Sequence, residues 1–261
     1  MILHATEMGD GPPVALLHGL FGAGRNWGAT QRRLAERFRV LALDLRNHGD
    51  SPHAPEMSYA ALAGDVLETL ARAGALPAAL IGHSMGGKAA MRAALDRPDA
   101  VTRLLVADIA PVRYPPGFGA YARAMAALPL TPELTRAQAD AALASAVPDG
   151  GVRLFLLQNL RFGAAPAWRI GLAEIAAGLA DIEGWEALPG AAYDGPALFL
   201  AGARSTYVQP SHRPAIRALF PAARFVVLKD AGHWLHSDNP EGFLAVAEAF
   251  LHDPAMRSVT K

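Results

Sequence analysis

The chain has 261 residues, 24 basic and 24 acidic side chains, nine histidines and no cysteine. A chain near this size buries roughly three quarters of the surface that its unfolded form exposes, so one well-packed domain is expected. The lack of cysteine excludes a disulfide framework, thiolate-bound zinc or iron–sulfur centres and a thiol nucleophile. Zero net charge excludes a global positive field for nucleic acid or an anionic membrane surface.

Residues 1–7 carry neither a basic flank nor a continuous apolar run, and no stretch reaches the roughly 18 apolar residues that span a bilayer. These features lead to the expectation of a soluble cytoplasmic protein with no nucleic-acid or membrane partner. The sequence leaves its oligomeric state open.

The first third alternates short apolar runs with helical patterns, as a parallel sheet covered on both faces requires. Strands are predicted at residues 14–17, 38–43, 76–81 and 104–107, with helices at 27–37, 58–73 and 85–95 between them. The pattern then changes. Pro111, Pro115, Pro116, Pro129 and Pro132 interrupt the chain, and alanine-rich helical segments follow to about residue 188 with no convincing strand. Strand character returns at 197–201 and 225–228 around a helix at 211–220, a closing helix is predicted over 240–251, and the tail after Asp253 is expected to fray. The simplest organisation is an α/β core of residues 1–111 and 191–261 with a helical lid over 112–190. That insertion is far longer than the usual connection of roughly 4–6 residues, and insertions of such length commonly cover a binding site.

The most informative segment is Gly82-His83-Ser84-Met85-Gly86-Gly87-Lys88-Ala89, between a predicted strand and a predicted helix. It fits G-x-S-x-G, in which a serine sits on a strained strand-to-helix turn and the flanking glycines avoid collision with neighbouring backbone. Such a turn presents the hydroxyl at the C-terminal sheet edge. The following N–H, that of Met85, lies free at the positive end of a helix and favours a developing oxyanion. A competing reading is G-x-x-x-x-G-K, a phosphate-binding loop, with residues 104–108 as its acidic strand. That template needs a hydroxyl for magnesium at position 89, where the sequence has Ala89.

Two further segments favour the nucleophile reading. His18-Gly19-Leu20-Phe21-Gly22 follows the first predicted strand, and the Leu20 N–H is a candidate second oxyanion donor. Ala231-Gly232-His233-Trp234 follows the last predicted strand, which places the His233 imidazole at the same sheet edge. His4, His53, His212 and His252 have no motif around them and read as solvated; His18, His48, His83 and His236 read as structural or site-lining. No H-E-x-x-H occurs, so no metal is expected.

Together, H-G-L-F-G at 18–22, D-L-R-N-H-G-D-S-P at 44–52, G-H-S-M-G-G-K at 82–88, D-I-A-P at 108–111 and A-G-H-W at 231–234 resemble the α/β-hydrolase superfamily, and more narrowly YbfF-type esterases and their mitochondrial relatives. The resemblance spans nearly the whole chain outside the insertion. It implies a serine hydrolase without metal or cofactor, acting on small esters or thioesters, with a mostly parallel eight-stranded sheet, helices on both faces and a helical lid. A perhydrolase, lactonase or carbon–carbon hydrolase would use the same residues, whereas a hydrolase-fold receptor usually has a damaged set.

One position departs from the superfamily pattern. Where an acid follows the 197–201 strand, this sequence has Ser205 in Gly202-Ala203-Arg204-Ser205-Thr206-Tyr207-Val208. A serine can accept a hydrogen bond from His233 Nδ1–H but carries no charge to stabilise an imidazolium. Asp108 is the candidate acid. It ends the strand expected beside that of Ser84, and neighbouring strands lie about 4.8 Å apart; the bland alternative is that Asp108 caps the turn before Pro111. Asp44 reads as structural in its turn, Asp194 faces the wrong edge, and Asp230 is too near His233 in sequence. Candidate substrate-lining residues are Phe21, His83, Tyr114, Phe118, Phe155, Phe162, Trp185, Tyr207 and Trp234, with Tyr121, Met125 and Leu156 also in the insertion, although apolar residues at helical spacing are more often internal packing. Arg113, Arg123 and Arg161 read as a solvated face in a chain whose 24 basic residues include only three lysines.

Overall fold

The computed structural model describes residues 1–186 and 188–252; the tail after Asp253 lies outside the described residues. In chain order the strands are β1 (Ala5–Met8), β2 (Pro13–Leu17), β3 (Arg39–Leu43), β4 (Ala78–His83), β5 (Val101–Ala107), the short β6 (Leu160–Arg161) and β7 (Ala167–Trp168), β8 (Ala197–Gly202) and β9 (Ala223–Leu228). The helices are α1 (Gly28–Leu34), α2 (Tyr59–Arg72), α3 (Met85–Asp96), α4 (Gly119–Ala126), α5 (Arg136–Leu143), α6 (Gly150–Leu157), α7 (Leu172–Ala177), α8 (Leu179–Glu183), α9 (Arg213–Leu219), α10 (Leu235–Asp238) and α11 (Pro240–His252).

The central sheet has the order β1-β3-β2-β4-β5-β8-β9, parallel except for β1, which runs antiparallel to β3. Strands β4 and β8 are buried along their whole length, as expected for the middle of a sheet covered on both faces. Helix α2 shows how the cover forms. Ser58 caps it by accepting the Ala61 N–H, and Leu62, Val66 and Leu70 recur at helical spacing on its buried face. One apolar cluster joins this face to Leu17, Leu43 and Leu80 of the sheet; a second, on the opposite side, gathers Trp27, Leu34, Phe243 and Phe250 against Val14, Ile81 and Leu105.

The sheet therefore has seven strands among the described residues, not the eight expected. The segment before β1 adds no further strand: Leu3 N–H donates to Thr69 Oγ1 and His4 N–H to Ser51 Oγ, while the His4 carbonyl accepts the Asp44 N–H. Two other expectations are amended. Strand β1 was not predicted, and β6 and β7 form a small antiparallel ribbon in the segment expected to contain no strand. Helices α4 to α8 and this ribbon occupy the stretch between β5 and β8, and they extend the first apolar cluster through Met125, Leu143 and Leu156.

Candidate active site

The C-terminal edge of the sheet is where parallel strands release their chains into loops, and the site is built there from five of them, after β2, β4, β5, β8 and β9. Ser84 follows β4 with φ 51° and ψ −119°, in the left-handed half of conformational space that a non-glycine residue adopts only when its surroundings enforce it. Its N–H donates to the Ala107 carbonyl at 3.0 Å, which fixes the end of β4 to the end of β5. The tight crossing of strand, turn and helix explains two glycines. A Cβ on Gly82 would lie 2.3 Å from the Gly86 carbonyl oxygen, and one on Gly86 would lie 2.4 Å from the Leu17 carbonyl oxygen.

Asp108 leaves β5 in a similar conformation, with φ 53°, and its N–H donates to the Leu200 carbonyl at 2.8 Å. Its carboxylate is wholly buried. Oδ1 accepts the Gly202 N–H at 3.1 Å, and Oδ2 accepts both the Ser205 hydroxyl and, at 2.8 Å, His233 Nδ1–H. Ser205 accordingly bonds the carboxylate and not the imidazole: the expected direct contact from Ser205 to His233 is replaced by one through a shared oxygen. A negative carboxylate is the stronger acceptor, so the ring's N–H and the hydroxyl both turn to it.

The imidazole of His233 stacks on Tyr207, with ring centres 4.0 Å apart and planes 22° apart. Its backbone carbonyl accepts the Nε2–H of His83 at 2.8 Å. Burial holds the His83 ring neutral by pushing its pKa well below the ordinary value, so Nε2 acts as a donor there. With Nδ1–H committed to Asp108, the neutral His233 ring keeps its Nε2 lone pair available. Ser84 Oγ forms no hydrogen bond among the described residues; it and the His233 ring both line a cavity of about 290 Å³. Hydroxyl–imidazole contacts of this kind are often long until substrate arrives.

The Leu20 loop is fixed by two neutral histidines and an asparagine. His18 Nδ1–H donates to the Gly19 carbonyl at 2.8 Å while Nε2 accepts the Leu45 N–H at 2.9 Å. His48 Nδ1–H donates to the Arg46 carbonyl, and Nε2 accepts the Phe21 N–H at 3.1 Å. Burial pushes His18 down to about 4 and His48 to about 3, so both stay neutral in these roles. Asn159, between α6 and β6, donates to the Phe21 carbonyl at 2.7 Å. Phe21, at φ 60°, thus has both backbone groups occupied, whereas the N–H groups of Leu20 and Met85 have no hydrogen-bond partner among the described residues.

Of the sequence-predicted lining residues, Phe21, His83, Phe118, Phe155, Tyr207 and Trp234 border the 290 Å³ cavity, together with Tyr121 and Leu156. Tyr114 borders an adjoining cavity of about 340 Å³ that also touches Ser84, Leu20 and Met85. Phe162 and Trp185 border neither: the Arg136 guanidinium lies 5.0 Å from the Phe162 ring centre, and Trp185 packs 5.9 Å from the Tyr59 ring. Both are packing residues, as is the fully buried Met125. Sequence reasoning missed Asn26, Trp27 and Val152 as lining residues, while His236, read as structural or site-lining, does border the cavity.

Asp44 occupies the structural position expected of it, accepting the Gly24 N–H at 2.6 Å and the Asp50 N–H at 2.9 Å, with His4 at 2.8 Å. His4, Asp44 and Asp50 form the one cluster of metal-ligand type among the described residues, but Asp44 already gives its oxygens to those donors. The phosphate-loop reading loses its lysine: Lys88 Nζ donates to the Gly184 carbonyl at 2.5 Å, inside the protein.

A model of the α/β hydrolase fold family matches residues 12–240. The chain belongs to the α/β hydrolase fold family. It is 45% identical over 251 residues to the sn-1-specific diacylglycerol lipase ABHD11 of Mus musculus, covering 92% of this chain and 81% of that protein. It is 37% identical over 252 residues to esterase YbfF of Escherichia coli K12, covering 95% and 96%. Among solved structures, a marine microorganism esterase superposes with a TM-score of 0.92 at 34% identity, covering 95% of this chain and 99% of that one. The resemblance to YbfF-type esterases read from the five motifs therefore holds. No helix among the described residues is long and apolar enough to cross a membrane.

Proposed function

We propose that the protein is a serine hydrolase of small carboxylic esters and thioesters that works through an acyl-enzyme, with Ser84 as nucleophile, His233 as general base and Asp108 as the acid that orients and balances the imidazole. The observation that carries this reading is the 2.8 Å contact between His233 Nδ1 and a buried Asp108 oxygen, at the rim of the cavity that Ser84 also lines. Esterase and lipase names among the relatives support ester chemistry.

In this reading His233 Nε2 takes the Ser84 proton as Oγ attacks the carbonyl carbon. Negative charge develops on the carbonyl oxygen, where the Leu20 and Met85 N–H groups and the N-terminal end of α3 meet it. Collapse expels the alcohol or thiol, which receives the proton from the imidazolium. Water then gives a proton to His233 and attacks the acyl-serine; collapse breaks the bond to Ser84 Oγ, which takes the proton back from the imidazolium as the carboxylic acid leaves. Residues 112–190 act as the lid that closes the chamber over the acyl-enzyme.

The test is Ser84→Ala with 4-nitrophenyl butyrate as substrate, combined with fluorophosphonate labelling of the unmodified protein and mass spectrometry. Expected are a loss of kcat of about 10³-fold or more and a single adduct on Ser84. Undiminished hydrolysis in the variant, or an adduct carried at another residue, overturns the assignment.

A further inference from the structure

Ester hydrolysis as described leaves one charged group without a role. Lys88 lies on α3 one turn beyond Ser84, is 1% exposed, and borders the 340 Å³ cavity. Its Nζ donates to the Gly184 carbonyl at 2.5 Å and, longer, to the Glu183 carbonyl at 3.4 Å, at the C-terminal end of α8. It sits 4.9 Å from the Tyr114 ring centre and 5.4 Å from that of Tyr59. No ion pair joins it to a carboxylate among the described residues. The Glu183 carboxylate, which borders the same cavity, instead accepts the Gly117 N–H at 2.7 Å and the Phe118 N–H at 3.0 Å.

Lys88 is the only cationic side chain among the residues that line this cavity, whose remaining donors are hydroxyl and backbone groups. The Tyr59 hydroxyl donates to the Ile182 carbonyl and the Tyr114 hydroxyl to the Tyr207 carbonyl. A buried ammonium with one N–H to spare and no direct ion pair is costly unless an anion completes it. Burial and the nearby Arg113 charge push its pKa down to about 7, against a smaller opposing pull from the Glu183 carboxylate.

The two cavities meet at Ser84 and differ in one decisive neighbour. His233 borders the first and not the second. A leaving group must lie against His233 to receive its proton, so the second cavity takes the acyl part. We propose that the 340 Å³ cavity is an acyl subsite for esters whose acyl chain ends in a carboxylate, with Lys88 Nζ as its recognition group. The proposal rests on Ser84 being the nucleophile, and it makes Lys88 a specificity residue without a part in bond breaking.

The experiment compares 4-nitrophenyl half-esters of succinate, glutarate and adipate with uncharged 4-nitrophenyl acyl esters of equal chain length, with spontaneous hydrolysis subtracted. In the wild-type protein at least one half-ester is expected to exceed its uncharged counterpart about tenfold in kcat/KM, the effect of one buried charge-assisted hydrogen bond. In Lys88→Met that charged-to-uncharged ratio is expected to fall about tenfold, back toward unity. A purely structural lysine would lower both series alike and leave the ratio in place. If no half-ester exceeds its counterpart in the wild-type protein, the proposal is wrong, with no variant needed. Turnover of uncharged esters in that case leaves the Ser84 reading standing, whereas failure of both series removes both.

Discussion

Replacing Asp108 by asparagine tests the acid directly, because the structure dictates which way the new amide turns. If its oxygen keeps the Gly202 N–H now held at 3.1 Å, its NH2 replaces Oδ2 and faces Ser205 and His233 Nδ1. The serine hydroxyl can rotate to accept. The imidazole can accept only by moving its proton to Nε2, which removes the lone pair that a general base needs. The flipped amide would set N–H against the Gly202 N–H in a site with no solvent, a cost of about 1–3 kcal/mol. The wrong tautomer therefore prevails, and kcat should fall about 10³- to 10⁴-fold, or about 4–5.5 kcal/mol of barrier. Ser205→Ala removes one donor to the carboxylate but leaves its charge and the His233 contact, so the loss should stay near about 1.5–3 kcal/mol, or roughly 10- to 150-fold. Both are read as kcat on 4-nitrophenyl butyrate, normalised to correctly folded protein by circular dichroism. A larger loss from Ser205→Ala than from Asp108→Asn would refute the reasoning and make the hydroxyl the orienting group.

Further perturbations probe the supports. Gly86→Ala drives a Cβ to within 2.4 Å of the Leu17 carbonyl oxygen, so it should cost about 1–3 kcal/mol or more and lower the Tm by several degrees; an unchanged Tm would mean that α3 can back away. Asn159→Ala frees the Phe21 carbonyl, bound at 2.7 Å, and should lower kcat/KM roughly 5- to 30-fold through about 1–2 kcal/mol of lost positioning; a fall in Tm with full activity would assign Asn159 to stability alone. Lys88 gives a pH signature. Its pKa is about 7 folded against an ordinary value near 10.5, so the unfolded chain binds more protons between these limits. Stability should accordingly rise with pH there, by roughly 2 kcal/mol from pH 7 to 9. Urea unfolding at the two pH values should show this rise in the wild-type protein and lose it in Lys88→Met; equal slopes would contradict the buried ammonium.

Six of the seven strands of the central sheet were legible, five because burial on both faces writes itself as short runs of Val, Leu, Ile and Ala, and the edge strand β9 through its Phe-Val-Val-Leu run although it is largely half-exposed. Strand β1 was not, since its residues are exposed or half-exposed and its sequence, Ala-Thr-Glu-Met, carries no apolar alternation. The placement of Ser84, His233 and the Leu20 loop at one sheet edge was legible where glycines and motif order constrain it, and the serine at position 205 was itself the signal that directed attention to Asp108, which the structure places against His233. What the sequence could not disclose was contact between distant segments. The Asn159 bond to Phe21 spans 138 positions and the Lys88 bond to Gly184 spans 96, and neither has a local pattern. Phe162 and Trp185 failed as lining residues for a related reason: they lie in irregular chain after β6 and after α8, where no periodicity marks the direction of an aromatic side chain.

Moving the carboxylate to the end of β5 changes what the loop after β8 is for. Relieved of holding a negative charge, that loop presents a flat Tyr207 ring to the imidazole and a carbonyl to the Tyr114 hydroxyl. Apart from Ser205, which bonds Asp108, its residues form wall, so in the proposed mechanism substitutions near position 207 can reshape which molecules enter while the carboxylate that orients the imidazole stays anchored on the adjacent strand β5.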